Sequence, residues 1–515
     1  MATTDQEAQG AEPEGASRLD PMPFDELEIA LEPGGEEGVV LPWSLMLRRG
    51  VASRVERSPR RSWIILAAAL SGVFTASFTI TVLTVSLADI ARNLGSSADV
   101  LTWAVTGPSL AMAVLGPIGG KLADRFGARQ VYLLSLTGVT VFAAAAIFAW
   151  NAPSLIAFRF LGAALGAATG PSALSMINRS FAPERRAQAM GYWSMVGSGA
   201  PVFGVVIGGP LVDAFGWRWI FILQTPIALA SLVIGFLVLP YSRRGERQPF
   251  DIAGSTALAF GVGFLLIALN RGPVLGWTSP LVLAGFIGGP LLLAQFVRIE
   301  NRTPHPLLPM RYFRRRNFTF PIVNQFLANF TYMGGFILTP LLLHDLLGYS
   351  TTKVGLMSIA RPLTFAIAGP IAGYLVLRFG ERVIGMFGSL MLALSMMVLA
   401  MIGVGSGFWL IEGALMLSGI GMGACAPAMI ASLANAVDTR DLGVASAASQ
   451  TMSQIGVVAG MQILLTVQLS TAAGSGSGSY AIAYHVGAVT AVGALVAAWF
   501  VRRTRHGAAE AALTV

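Results

Sequence analysis

Between residues 63 and 501 the chain alternates long apolar runs with short polar connections that carry most of its arginines. The runs lie at 63–87, 100–122, 130–150, 153–176, 187–211, 217–240, 252–270, 279–298, 318–343, 354–376, 383–404, 407–431, 442–468 and 480–501. An α-helix needs about 20 apolar residues to cross the hydrocarbon core of a bilayer, and each run meets or nearly meets that length. The pattern predicts an all-α integral membrane protein with fourteen transmembrane helices. In front of the first run, residues 1–37 are acidic, poor in aromatics and rich in Glu, Gly and Pro, which predicts a disordered tail. Residues 43–61 are mixed apolar and basic. Two readings fit them: a segment lying on an anionic membrane surface, or the basic flank of the first span.

The pattern repeats itself. Gly116 to Arg129 reads GPIGGKLADRFGAR and Gly369 to Arg382 reads GPIAGYLVLRFGER, nine of fourteen positions being identical. LGAALGAATGPSALSMI around Pro171 parallels LSGIGMGACAPAMIASL around Pro427. The offsets, 253 and 256 residues, match spans 1–6 with spans 9–14 and leave spans 7 and 8 as an insertion. The expected organisation is a cytoplasmic tail at 1–61, a six-helix bundle at 62–247, a two-helix insertion at 248–300, a cytoplasmic loop at 301–317, a second six-helix bundle at 318–503 and a tail at 504–515.

Composition sharpens this reading. The chain is 54% hydrophobic and 12% charged, about half the charged fraction of a soluble domain, with a mean hydropathy of +0.68. One cysteine, Cys425, excludes an internal disulfide, and with four histidines a structural metal site is not expected. The formal charge of +8 does not signal nucleic acid, because the basic residues lie in short clusters between apolar runs. With the N-terminus inside, 28 of the 34 basic residues fall on one side. The positive-inside rule then places both termini in the cytoplasm of a cell (inner) membrane protein.

The stretch from Gly120 to Arg129 resembles the loop between spans 2 and 3 of the major facilitator superfamily, through Gly120, Leu122, Ala123, Asp124, Arg125, Gly127 and Arg129. Gln248 to Gly254, the turn at Gly276-Trp277 and the loop ENRTPHPLLPMRYFRRRNF resemble the fourteen-span drug:proton antiporters within it. This resemblance implies the major-facilitator fold, two six-helix bundles plus two inserted central helices. It also implies alternating access, a small-molecule substrate, coupling to protons and no cofactor. By resemblance Asp124 and the cations around it close the cytoplasmic side; Leu377 replaces the acid in the second copy, so this closure is expected on one side only. A monomer in the lipid bilayer is expected, with no nucleic-acid partner.

Some positions depart from the family pattern. The acid usual in span 1 is Thr79, so a proton must titrate elsewhere; Glu412 in span 12 and Asp89 near the outer end of span 1 are the candidates, Asp89 fitting a solvated helix end equally well. A carboxylate in low dielectric favours its neutral form, as a proton carrier requires. Arg159 in span 4 matches the family's coupling Arg, with Gly162 and Ala163 where Gln and Gly are usual; a structural Arg bonded to carbonyls is the alternative. Span 5 carries Gly199, Pro201, Gly204, Gly208 and Gly209, similar to the antiporter signature but with Val205 where its Pro belongs, and small residues there give close packing whatever the cargo. Arg361, before Pro362 in span 10, is a second buried cation that either pairs with Glu412 or meets a polar substrate group. Asn324, Gln325 and Asn329 in span 9, with Gln450 and Gln454 in span 13, line a cavity or join helices. No phosphate-cradling loop, nucleophile elbow or zinc-protease motif occurs, so neither an enzyme nor an ATP-driven pump is expected. Proton-coupled multidrug efflux is the leading function; a uniporter or symporter of a polar or anionic metabolite, and a non-transporting scaffold or sensor, are the alternatives.

Overall fold

The computed structural model describes residues 43–85, 87–96, 98–240, 251–303, 306, 310–438, 441–471 and 476–502. The acidic tail, Arg440 and the side chains of Thr79, Asp89, Pro201 and Val205 lie outside the described residues, as do the surroundings of Gly204, Gly208 and Gly209. Two compact units result. The first, Met1–Arg61, contains helix α1 (Trp43–Glu56). The second, Ser62–Val515, holds the rest.

In chain order the helices that follow are α2 (Arg61–Val85), whose first residue belongs to the first unit, α3 (Leu87–Asn93), α4 (Ala98–Phe126), α5 (Ala128–Ile147), α6 (Ala152–Gly166), α7 (Thr169–Ser180), α8 (Arg186–Phe215) and α9 (Arg218–Val238). The inserted pair is α10 (Ile252–Leu275) and α11 (Pro280–Glu300). Then come α12 (Arg316–Leu341), α13 (Thr351–Ser358), α14 (Ala360–Phe379), α15 (Glu381–Ala400), α16 (Phe408–Asn435), α17 (Leu442–Thr471) and α18 (Gly476–Phe500). No strand occurs among the described residues. Among the described residues eleven helices are long and apolar enough to cross a membrane. Three more, α2, α4 and α8, are 25, 29 and 30 residues long and stand where spans 1, 2 and 5 are expected. Many large apolar side chains point outward, Leu134, Leu291 and Val489 among them. In water such a surface would be unfavourable; in lipid it is the solvated face.

The duplication is built into the backbone. Helices α5 and α15 are 20 residues each, and α8 and α17 are 30 each. The change of offset between the repeats falls in one connection, four residues at 148–151 against seven at 401–407. Gly127 (φ 94°) and Gly380 (φ 84°), the repeated Gly of R-F-G-x-R, both turn the chain through a conformation that L side chains rarely adopt. The Arg that follows is used alike in both copies: Arg129 lies over the Phe236 ring at 5.6 Å, and Arg382 over Trp499 at 4.5 Å. Gly127→Ala and Gly380→Ala are each expected to destabilise the protein by about 1–3 kcal/mol. Thermal unfolding in detergent checks this, and an unchanged transition would remove the conformational explanation for the repeat.

Span 4 begins with a reciprocal cap: Asn151 Oδ1 accepts from the Ser154 amide at 2.9 Å and Ser154 Oγ accepts from the Asn151 amide at 3.2 Å. That fixes the start of α6, and Arg159 follows two turns later. In span 10, α13 and α14 meet at Ile359, one turn before Pro362, which has no N–H for the Ser358 carbonyl. The inserted α10 seats Val262 and Leu266 against Leu110 and Ala113 of α4 on one side and Val458 of α17 on the other. Its C-terminal end is held to α4 by Arg271 over the Trp103 ring, 4.2 Å away.

Candidate functional site

The two halves meet at the end of the bundle that carries Gly127 and Gly380, the hinge end, along two seams. In the first, α4 lies on α17. A methyl group on Gly120 would stand 2.7 Å from the Gly443 carbonyl oxygen, so only glycine permits this approach. Asp124 Oδ1 accepts from the Gly443 amide at 3.2 Å and from Arg179 Nη2 at 3.0 Å. The carboxylate thus meets the N-terminal end of α17, where unpaired amides and the helix dipole favour negative charge. The expected bridging by neighbouring cations differs in detail: Arg125 stacks on its neighbour Phe126, and Arg129 donates to the Phe236 carbonyl within its own half. From that stretch Gly120 and Asp124 reach across.

In the second seam α14 lies on α8. A methyl on Gly191 would meet the Gly369 oxygen at 2.5 Å, and one on Gly373 the Ala187 oxygen at 2.5 Å. Arg186 Nη1 donates to Ala434 O at 3.2 Å and Asn435 Oδ1 at 2.8 Å. Gln450 approaches α7, its Nε2 being 3.4 Å from where a Gly170 methyl would stand. Lys121 Nζ donates to Pro306 O at 3.0 Å. Nearby, Tyr312 donates to Asp441 at 2.5 Å beneath Arg311 and Arg315. Burial, and then that hydrogen bond, hold the Tyr312 phenol above its ordinary pKa.

The polar residues of span 9 divide between two tasks. Asn324 is fully buried and joins helices: its Nδ2 donates to Ser389 Oγ at 3.0 Å and Ala494 O at 2.7 Å, and its Oδ1 accepts from Cys425 at 2.9 Å. Its amide is spent on joining helices. Gln325 faces α17, accepting from Ser449 at 2.7 Å and Ser453 at 3.1 Å, while its Nε2 has no partner among the described residues. Asn329 donates to Gln325 O, and Gln454 is half-buried on α17. A methyl on Gly199 of span 5 would stand 3.9 Å from Ala366 Cβ across the second seam, an ordinary contact.

Arg361 is 1% exposed. It donates to Tyr332 O at 3.3 Å and Thr339 Oγ1 at 3.2 Å and lies over the Tyr332 ring. Tyr484 extends the network through Thr339 at 3.2 Å. The pairing of Arg361 with Glu412 is not formed. Helices α14 and α16 pack with Gly419 against the Arg361 carbonyl, and Thr364 donates to Met416 O at 3.3 Å. Glu412 therefore lies seven residues, about 10 Å, further along the axis. It is 5% exposed, and its Oε1 has no partner among the described residues.

Arg159 borders a cavity of about 40 Å³ inside the first half, walled by Pro108, Phe142, Phe158, Phe221 and Gln224 among others. Its Nε donates to Ala104 O at 3.3 Å, and its Nη2 lacks a partner among the described residues. Gln224 Nε2 donates to Thr75 O at 3.2 Å, and its Oε1 likewise has none among them. The space suits roughly one water, and no carboxylate is among its described lining residues. Gln224, Tyr332, Thr339, Tyr484, Arg186 and Asn435 were not singled out from sequence. Gln224 and Arg186 carried a signal, a polar residue in mid-span and a basic P-E-R-R turn; the others looked like ordinary span residues.

The sequence profile of the Major Facilitator Superfamily matches residues 69–461 and again 325–513. The methylenomycin A resistance protein of Bacillus subtilis is 31% identical over 413 residues, covering 79% of this chain and 88% of its own. The tetracenomycin C resistance and export protein of Streptomyces glaucescens is 29% identical over 409 residues, covering 78% and 75%. Among solved structures, a human organic anion transporter aligns with a TM-score of 0.60 at 15% identity, over 84% of this chain and 100% of that one. A proton:xylose symporter aligns at 0.58 and 15%, over 84% and 94%. At such low identity these two carry the fold alone.

Proposed function

Because the chain belongs to the major facilitator superfamily, a family of membrane transporters rather than enzymes, we propose that it exports a hydrophobic or amphipathic small molecule in exchange for protons. The observation that carries this reading is the pair of seams at the hinge end. Glycines there allow the halves to shut against each other, while Asp124 and Arg186 supply bonds that a rocking motion can break and remake. Relatives named for antibiotic resistance and export support the outward direction. In this reading residues 62–247 and 318–503 are the moving bundles, 248–300 the insertion, and the hinge end and both termini face the cytoplasm of the inner membrane. The protein acts as a monomer. Glu412, with Asp89 as the alternative, takes the proton.

A specific observation favours a second reading. Arg159 and Arg361 are cations within spans that form no ion pair among the described residues, which suits a polar or anionic metabolite moved without protons. Everted vesicles acidified by respiration and carrying a pH-sensitive dye separate the two. Proton-coupled export predicts that added substrate dissipates the gradient in a panel of amphipathic antibiotics. Substrate counterflow with no dye response would instead establish the second reading.

A further inference from the structure

The second seam lacks the acid of the first. Leu377 stands at the position of Asp124 and is 46% exposed, yet the seam is shut. Tyr192 and Tyr374 bring their hydroxyls to 3.4 Å across it, and the charged contact beside it, from α8 to the end of α16, has the opposite sign. Arg186, 8% exposed, donates through Nε to Asn178 O at 3.0 Å and through Nη1 to Ala434 O at 3.2 Å and Asn435 Oδ1 at 2.8 Å. Asn435 returns a bond to Pro183 O at 3.4 Å.

The two carbonyls are equivalent. Asn178 and Ala434 each lie seven residues beyond the paired prolines Pro171 and Pro427, at the C-terminal ends of spans 4 and 12. One guanidinium therefore grips the same carbonyl of both repeats, which places it at the axis relating the halves. A side chain on such an axis has room for no copy of itself. Consistently, Arg186 opens α8, whereas the residue that opens the matching α17 is Leu442, fully buried and apolar. Helix C-termini present carbonyls without intrahelical partners and a partial negative charge, and charge-assisted bonds are the stronger kind. The contact therefore favours the closed hinge end.

We propose that Arg186 is a positioning residue for alternating access: an axial latch that joins the ends of spans 4 and 12 whenever the hinge end is shut and releases Ala434 and Asn435 when it opens. The inference rests on the alternating-access reading but not on the identity or direction of the cargo. Asn435 matters because its amide oxygen is a neutral acceptor. A carboxylate there would form an ion pair with Arg186 and hold the latch closed.

The test uses the full-length protein with Cys425→Ser and spin labels at Phe126 and Phe379 on the hinge end, or at Trp150 and Val404 on the other. Pairwise distances are measured in lipid nanodiscs without substrate. Arg186→Gln is expected to raise the ratio of open to closed hinge ends on the order of tenfold, as loss of charged hydrogen bonds implies, and to shorten the Trp150–Val404 distance. Arg186→Lys, which keeps the charge but not the planar fork, should fall between. Asn435→Asp should move the distribution the other way and slow counterflow. If the Gln and Asp variants leave the distances as in the parent, or shift both in the same direction, while thermal stability alone changes, Arg186 is a structural residue and the latch is refuted. The distances need no cargo, so failure of the export assay leaves this test intact.

Discussion

Exchanging Glu412 for Gln is expected to reduce ΔpH-driven uphill transport to background while counterflow without a gradient continues. Among the described residues two other buried carboxylates, Glu300 and Glu381, are the last and first residues of their helices. Glu412 is the fifth residue of α16, 5% exposed, with an unpartnered Oε1 and Arg361 two turns away. A charge so placed is costly without a partner. In the proposed cycle Glu412 takes the proton while closed from water and gives it up when opened. Gln keeps the shape and removes the titration. Thermal unfolding of the variant should match or exceed the parent, separating loss of coupling from loss of fold. If the Gln variant still concentrates substrate against a gradient, Glu412 is structural and Asp89 inherits the question.

A comparable effect, by a steric route, is expected from Gly191→Ala. The added methyl would lie 2.5 Å from Gly369 O and 2.8 Å from Pro370 Cα, both backbone atoms that no rotamer change can move. Overpacking of this kind costs about 1–3 kcal/mol. Here the halves can relieve it by parting at the hinge end, so the open-to-closed ratio should rise roughly five- to a hundredfold and turnover should fall accordingly. Gly197→Ala is the control: on the same helix, nothing stands within 4 Å of its methyl. Thiol accessibility at the hinge end distinguishes the two variants. Equal accessibility in both would mean that closure does not depend on the glycine contact.

The helices and the duplication were legible because both write themselves into spacing. Apolar length fixes a span, and a Gly that must take positive φ recurs where the same turn recurs, at 127 and 380. Asp124 was legible as a chemical type, but its partner was not, since the Gly443 amide is a backbone group without a side-chain signature. Asn324 and Gln325 look interchangeable in sequence. They differ by about 100° around the helix, which directs one into the α15, α16 and α18 packing and the other toward α17. The Arg361–Glu412 pairing failed for a similar reason. Which residues of α14 and α16 lie level is decided by where Gly419 lets the backbones touch, and a single sequence does not state that register.

The seat of α10 bears on how the halves can move. It touches α4 and α17 at once, and a body in contact with two moving parts must travel with one and slide on the other. Arg271 over Trp103 fastens it to the first half, so sliding falls on Val262 and Leu266 against Val458. Contacts of methyl groups have no preferred direction, and exchanging one for another breaks no hydrogen bond. In the proposed rocking motion α10 would therefore act as a sliding contact along one flank. It also covers the flank along which α4 meets α17.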